Sequence, residues 1–103
     1  MLLLIERNIL MIVKHVENGN KGTFVASEDG VQIGEMTYSK VGSDKIIIDH
    51  TEVDESQKGK GVGKILLTKA VDYARDNNVK ILPLCPFAKA MFDKDVDIRD
   101  VRA

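Results

Sequence analysis

The segment Val53-Asp54-Glu55-Ser56-Gln57-Lys58-Gly59-Lys60-Gly61-Val62-Gly63-Lys64 constrains this chain more than any other. Before it stands a β-branched run, Ile46-Ile47-Ile48, and after it Val62, Ile65, Leu66, Ala70, Val71 and Ala74 recur at three- and four-residue spacing. The first pattern predicts a strand over Lys45 to Val53, buried on both faces at the centre of a sheet because its apolar run is unbroken. The second predicts an amphipathic helix from Val62 to a stop at Asn77-Asn78, since Asn tolerates the left-handed conformation in which helices often end. Between them three glycines alternate with lysines. Glycine lets the backbone turn sharply and bring N–H groups close to a ligand. A helix N-terminus adds unpaired donors and a partial positive charge, and Lys58, Lys60 and Lys64 add full ones. The arrangement suits a phosphate, and above all a pyrophosphate.

The rest of the chain reads around that junction. Thr23 to Ser27 and Val31 to Ser39 are predicted strands, joined by the Asp29-Gly30 signal of a tight hairpin. Val79 to Leu84 is a short strand, parallel to the strand before the helix by the crossover rule. Pro83 within it lacks an N–H and predicts an edge or a splayed region. Pro86 suits the first turn of a second helix running to Lys94. The expected order is β-β-β-α-β-α: an α/β (α+β) fold with a mixed, mostly antiparallel sheet of about four strands. Residues 1–20 are poorly patterned and read as a partly disordered N-terminal segment. Residues 95–103 read as a weakly ordered tail.

Composition narrows the function classes. With 103 residues, 44% hydrophobic and 30% charged, the chain makes one domain with a modest core. A net charge of −1 argues against a general nucleic-acid partner. One cysteine allows no internal disulfide and no all-cysteine metal site, so no metal is expected and a reducing cytoplasm is. The opening Met1-Leu2-Leu3-Leu4-Ile5 is interrupted by Glu6 and Arg7, so it is neither a secretory signal nor a membrane span. Met1 and Met11 are both open as the starting residue.

Spacing selects among phosphate loops. A Walker A loop needs a glycine where Lys58 stands and a hydroxyl where Ile65 stands, and a dinucleotide fingerprint needs its third glycine at Lys64 or Leu66. Both fail. The run Lys58-Gly59-Lys60-Gly61-Val62-Gly63, preceded by Thr51-Glu52-Val53, resembles the acetyl-coenzyme A loop Arg/Gln-x-x-Gly-x-Gly/Ala of the GNAT superfamily of N-acetyltransferases, with Lys58 in the first position. The superfamily's second signature, Asn, Ala and Tyr at intervals of three and four, is legible as Cys85, Ala88 and Phe92, followed by Asp93-Lys94. The likeness covers Thr23 to Lys94. It looks closest to a short YjdJ-type subfamily, through Asp49-His50-Thr51 and Cys85-Pro86-Phe87-Ala88-Lys89.

The resemblance implies a truncated GNAT-like fold. Its strands would part near Pro83 to admit the pantetheine arm, with acetyl-coenzyme A held by Thr51, Glu52, Val53, Lys58, Gly59, Lys60, Gly61, Val62, Gly63, Lys64, Cys85, Pro86, Lys89 and Phe92. It implies acetyl transfer from coenzyme A to an amine or thiol acceptor that the sequence does not name. The partner is a small acyl-coenzyme A, with no nucleic acid and no membrane, and the protein is a monomer or weak homodimer. Two departures matter. Phe92 stands where the family's Tyr assists the departing sulfur, and the C-terminal strands that usually finish the acceptor pocket are missing. They leave a non-catalytic acyl-coenzyme A binding or sensing module as the alternative.

Two residues are candidate catalysts. Cys85 precedes a Pro-initiated helix, where a thiol pKa falls, so it is either a thiol that takes up the acyl group or a packing residue on the cofactor wall. His50 follows the apolar run, and alternation places it with Glu52 on one face and Asp49, Thr51 and Val53 on the other. It is either a base or a hydrogen-bonded structural histidine. His15, Tyr38 and Tyr73 read as structural residues.

Overall fold

The computed structural model describes residues 2–5 and 9–103, with side chains from Met11 onward. Six strands form one sheet in sequence order: β1 (Leu2–Ile5), β2 (Ile9–Asn18), β3 (Lys21–Glu28), β4 (Val31–Val41), β5 (Lys45–Val53) and β6 (Lys80–Pro83). All neighbours are antiparallel except β5 and β6, which are parallel. Helix α1 (Val62–Asn77) makes the crossover between them, and α2 (Pro86–Lys94) follows β6. The α+β class, the mixed sheet and the order β-β-β-α-β-α from Lys21 to Lys94 are as the sequence predicts.

The helices cover one face of the sheet. Phe24, Met36, Tyr38, Ile46, Ile48 and Ile81 meet Leu66, Leu67, Ala70 and Val71 of α1 and Ala88 and Phe92 of α2 in a single buried cluster. On the other face Thr23, Val25, Glu35, Thr37, Ser39 and Ile47 are half-buried. The Asp29-Gly30 hairpin forms with φ of 50° and 82°, and Asn78 closes α1 at φ 55° as a left-handed cap.

Three expectations are corrected. First, the sheet has six described strands rather than four. The segment read as partly disordered supplies β1 and β2, apart from residues 1 and 6–8, which lie outside the described residues. Its inward positions include Met11 and Val13, and a Gly19-Asn20 turn joins it to β3. Second, β5 is not buried on both faces at the centre. It lies next to the edge strand β6, with Ile46 and Ile48 in the core and Ile47 only half-buried. Third, the tail is docked. Val96–Val101 forms 3-10 turns that bury Val101. Arg75 makes a bidentate bond to Asp100, and the Ala103 N–H donates to the Ile81 carbonyl along the outer edge of β6. Phe92 is fully buried in the core, with the Arg102 guanidinium 6.0 Å from its ring centre. Among the described residues no helix is long and apolar enough to cross a membrane.

Candidate active site

The glycine loop is built as a cradle. A 3-10 turn, Glu55–Gln57, turns the chain out of β5, and Gly59 and Gly61 then both adopt φ of 80°. This left-handed backbone favours glycine, and a Cβ added at either position would meet nothing within 4 Å. The space beside them is open. Gly61 is the N-cap of α1, no side chain caps the helix, and its first turn holds no acid. The amides of that turn, with Lys58, Lys60 and Lys64 exposed around them, present donors and positive charge to one place. Lys58 approaches Glu55 only at 4.0 Å.

Gly63 has a different reason. A Cβ there would lie 2.7 Å from Phe87 Cζ, so this glycine lets the start of α2 pack on the start of α1. Val62 is buried against Gly34 of β4 and locks the loop to the sheet. Of the loop residues named from sequence, Val62 packs its side chain and Gly63 its Cα against neighbours, while their amides belong to the first turn of α1. The structure leaves Lys58, Gly59, Lys60, Gly61 and Lys64 facing outward.

The slot opens beside the loop. Strands β5 and β6 pair only as far as Ile48 with Pro83. The amides of Leu84 and Cys85 then both donate to the Ile48 carbonyl, at 3.1 and 3.2 Å, while β5 continues to Val53 paired with β4 alone. Two successive amides on one acceptor end the ladder, while the missing N–H of Pro83 faces the outer edge of β6, the side on which the Ile81 carbonyl accepts the Ala103 N–H. A bulge sharpens the separation: Tyr38 pairs Ile48 and Thr37 pairs His50, so Asp49 is an extra residue.

Across the slot Thr51 Oγ1 and Cys85 Sγ lie 3.2 Å apart. Cys85 is the N-cap of α2, and its sulfur accepts the Ala88 N–H at 3.4 Å. It is 5% exposed. His50 and Glu52 point to the opposite face, where His50 Nε2 and Glu52 Oε2 are 3.2 Å apart. The structure thus brings Thr51 to Cys85 and Glu52 to His50, but His50 and Cys85 lie on different sides of β5. Pro86 opens α2, Lys89 is an exposed partner of Asp93 at 3.3 Å, and Val53 packs against the core.

Sequence reading missed the acids that join His50 and Glu52. Glu35 stands directly across β4–β5 from Glu52, and with Asp54 the two line a cavity of about 110 Å³. Like charges directly opposite in a sheet destabilise it. Cross-strand register is what brings them together, and it was not legible in the order of the residues.

The family model for GCN5-related N-acetyl-transferases matches residues 23–101. The chain belongs to the GCN5-related N-acetyl-transferase family. The class of activity is acetyl-coenzyme A-dependent acetyl transfer. A GCN5-like protein of Staphylococcus aureus, solved by NMR, is 38% identical, with 87% of each chain covered and a TM-score of 0.66. More distant structures share the fold. A GNAT family acetyltransferase from Elizabethkingia anophelis with acetyl-CoA bound is 12% identical, with 82% of this chain and 72% of that chain covered and a TM-score of 0.66. The ribosomal-protein-S18-alanine N-acetyltransferase of Escherichia coli is 16% identical, with 75% and 51% covered and a TM-score of 0.64. No curated protein matches the chain.

Proposed function

We propose that this GNAT protein holds the pyrophosphate of acetyl-coenzyme A on the Gly59–Lys64 loop and the pantetheine arm in the slot between β5 and Cys85. The acetyl group then passes to a primary amine. The observation that carries the reading is the parting of β5 from β6 after Ile48, with β5 leading through the glycine loop to an uncapped helix start. The residues fit the ligand: the glycine cradle has open space where phosphate would lie, and the slot's exposed strand edge offers backbone donors to a carbonyl oxygen.

The two faces of β5 divide the work. Thr51 and Cys85 face the thioester, while His50, Glu52 and the nearby Glu35 and Asp54 face a cationic acceptor and take its proton. In direct transfer the amine nitrogen attacks the acetyl carbon, the carbon–sulfur bond to coenzyme A breaks, and the departing sulfur takes up a proton. In a covalent variant Cys85 Sγ first displaces coenzyme A, whose sulfur receives the proton that Cys85 loses, and the amine then displaces Cys85. The short-subfamily reading rests on Asp49-His50-Thr51 and on Cys85 to Lys89. A cytoplasmic, monomeric or weakly dimeric protein fits it.

Incubation with acetyl-coenzyme A followed by intact-protein mass spectrometry tests the covalent branch. One acetyl group is expected on the wild type and none on Cys85→Ser, with His50→Ala acylated at the wild-type rate because His50 faces away from the thiol. A second reading, acyl-coenzyme A binding without transfer, is favoured by the burial of Phe92 and its lack of a hydroxyl. It takes over if neither Cys85 nor any amine acceptor becomes acetylated while the cofactor still binds.

A further inference from the structure

At the other end of α1 is a cavity of about 460 Å³ that acetyl transfer does not use. Its lining on α1 begins at Lys69, about 12 Å along the helix from Gly61 at the helical rise per residue. Its floor is aromatic. The His15 and Tyr73 rings stand at 82° with centroids 4.9 Å apart, forming a corner, and Phe24 stacks beneath His15 at 4.3 Å. His15 is held in place by Nε2, 2.5 Å from the hydroxyl of the buried Tyr38. Burial lowers the His15 pKa, more than the nearby Glu17 raises it, so the ring is neutral near neutral pH.

The charges on the rim are unequal. Lys69 and Arg75 line the cavity, but Arg75 is bound to Asp100 and to the Asp97 carbonyl, and Lys69 makes an interaction of its own. Asp72 and Asp76 also line it, and neither forms an ion pair among the described residues. Both sit in the C-terminal half of α1, the negative end of the helix dipole. Aromatic faces attract cations, and the volume suits a small ligand. An anion would meet two carboxylates that no ion pair holds, Asp72 feeling only the field of Arg75, and a neutral body would leave both without a partner.

We propose that this cavity is a second binding site, for a small organic cation: an ammonium group on a compact apolar body, seated in the corner of His15 and Tyr73 beneath Asp72 and Asp76.

The test titrates isotope-labelled full-length protein with choline, and separately with 3,3-dimethyl-1-butanol, its uncharged isostere, and follows both by NMR. Saturable shifts at His15, Phe24 and Tyr73 are expected, with choline at least about tenfold tighter than the alcohol. Tyr73→Leu should weaken choline about 5- to 30-fold, and so should the Asp72→Asn/Asp76→Asn pair. Acetyl-coenzyme A binding should be unchanged in both. Because the two aspartates are exposed, the double variant keeps the fold even if Tyr73→Leu does not. Equal affinity for the two probes, shifts that do not saturate, shifts centred on the glycine loop, or choline binding untouched by the aspartate pair would each overturn the proposal.

Discussion

Replacing Gly61 separates what the glycine loop does for the fold from what it does for the ligand. Gly61 sits at φ 80°, and its missing Cβ faces empty space. Gly61→Ala therefore introduces no collision, only the left-handed strain of an L residue, about 1–2 kcal/mol. In a chain of this length each kcal/mol lowers the melting temperature by about 4–8 °C. Gly61→Asp carries less strain, since Asp tolerates this backbone better, and its carboxylate gains from the uncapped helix start by about 0.3–1 kcal/mol. The aspartate should thus be at least as stable as the alanine. Its effect on acetyl-coenzyme A should be the reverse. A carboxylate in the phosphate's place cancels charge-assisted hydrogen bonds worth about 1.5–3 kcal/mol each, so losing two costs at least about 3 kcal/mol, or more than about 100-fold in affinity. The assay pairs thermal unfolding with a calorimetric titration of acetyl-coenzyme A for both variants. A folded Gly61→Asp protein that binds as tightly as the wild type would refute the assignment of the loop to phosphate. An aspartate much less stable than the alanine would refute the argument that the Cβ space is empty.

Other substitutions probe the frame around the site. Gly22→Ala would set a Cβ 2.1 Å from Tyr38 Cζ, and chemical denaturation should show a loss of about 1–3 kcal/mol, the usual cost of overpacking. Val101→Ala should cost about 1–3 kcal/mol, because the side chain is buried where the tail docks; an exposed partner such as Asp100 should matter much less to the same measurement. His15 takes its proton at a lower pH when folded than when unfolded, since burial lowers its pKa from 6.5. Below that value the unfolded chain binds more protons, so stability should rise with pH up to about 6.5 and then level. Denaturant midpoints at about pH 5 and 7.5 should show the difference, and it should shrink in His15→Phe.

How far the fold was legible depended on how local its signals are. The β3–β4 hairpin, the strand Lys45–Val53, both helices and the edge position of β6 are each marked by a nearby residue: Asp29-Gly30, the isoleucine run, Asn78, Pro86 and Pro83. What was missed is settled by tertiary contacts. The segment Ile9–Val13 is apolar without alternation, and it becomes a strand because β3 offers an edge for Val13, His15 and their neighbours to pair with. The charged tail gives no hydrophobic pattern, yet Val101 closes the core, and Arg75 and Arg102 hold Asp100 and Asp93. The triple isoleucine suggested burial on both faces. Helices are found on only one, so alternate positions diverge.

The site was legible as a list of residues but not as an arrangement. Alternation along β5 places His50 with Glu52, and the structure agrees from His50 onward. The bulge at Asp49 adds something no periodicity shows. Before it the even positions Ile46 and Ile48 face the helices, and after it the odd positions Thr51 and Val53 do. One inserted residue thereby turns a hydroxyl, rather than an imidazole, toward the sulfur of Cys85. It also sends His50 to the face where Glu35 and Glu52 stand opposed across the ladder. Without the bulge, unbroken alternation would put His50 and Glu52 beside Cys85 and against the apolar core, where a charged pair is costly to desolvate. On the function proposed above, the bulge would let one strand turn Thr51 and Val53 toward the pantetheine arm and carry carboxylates for an amine on the other side. A thioester reaching the edge of β5 between these two faces would be open to attack from the acidic one.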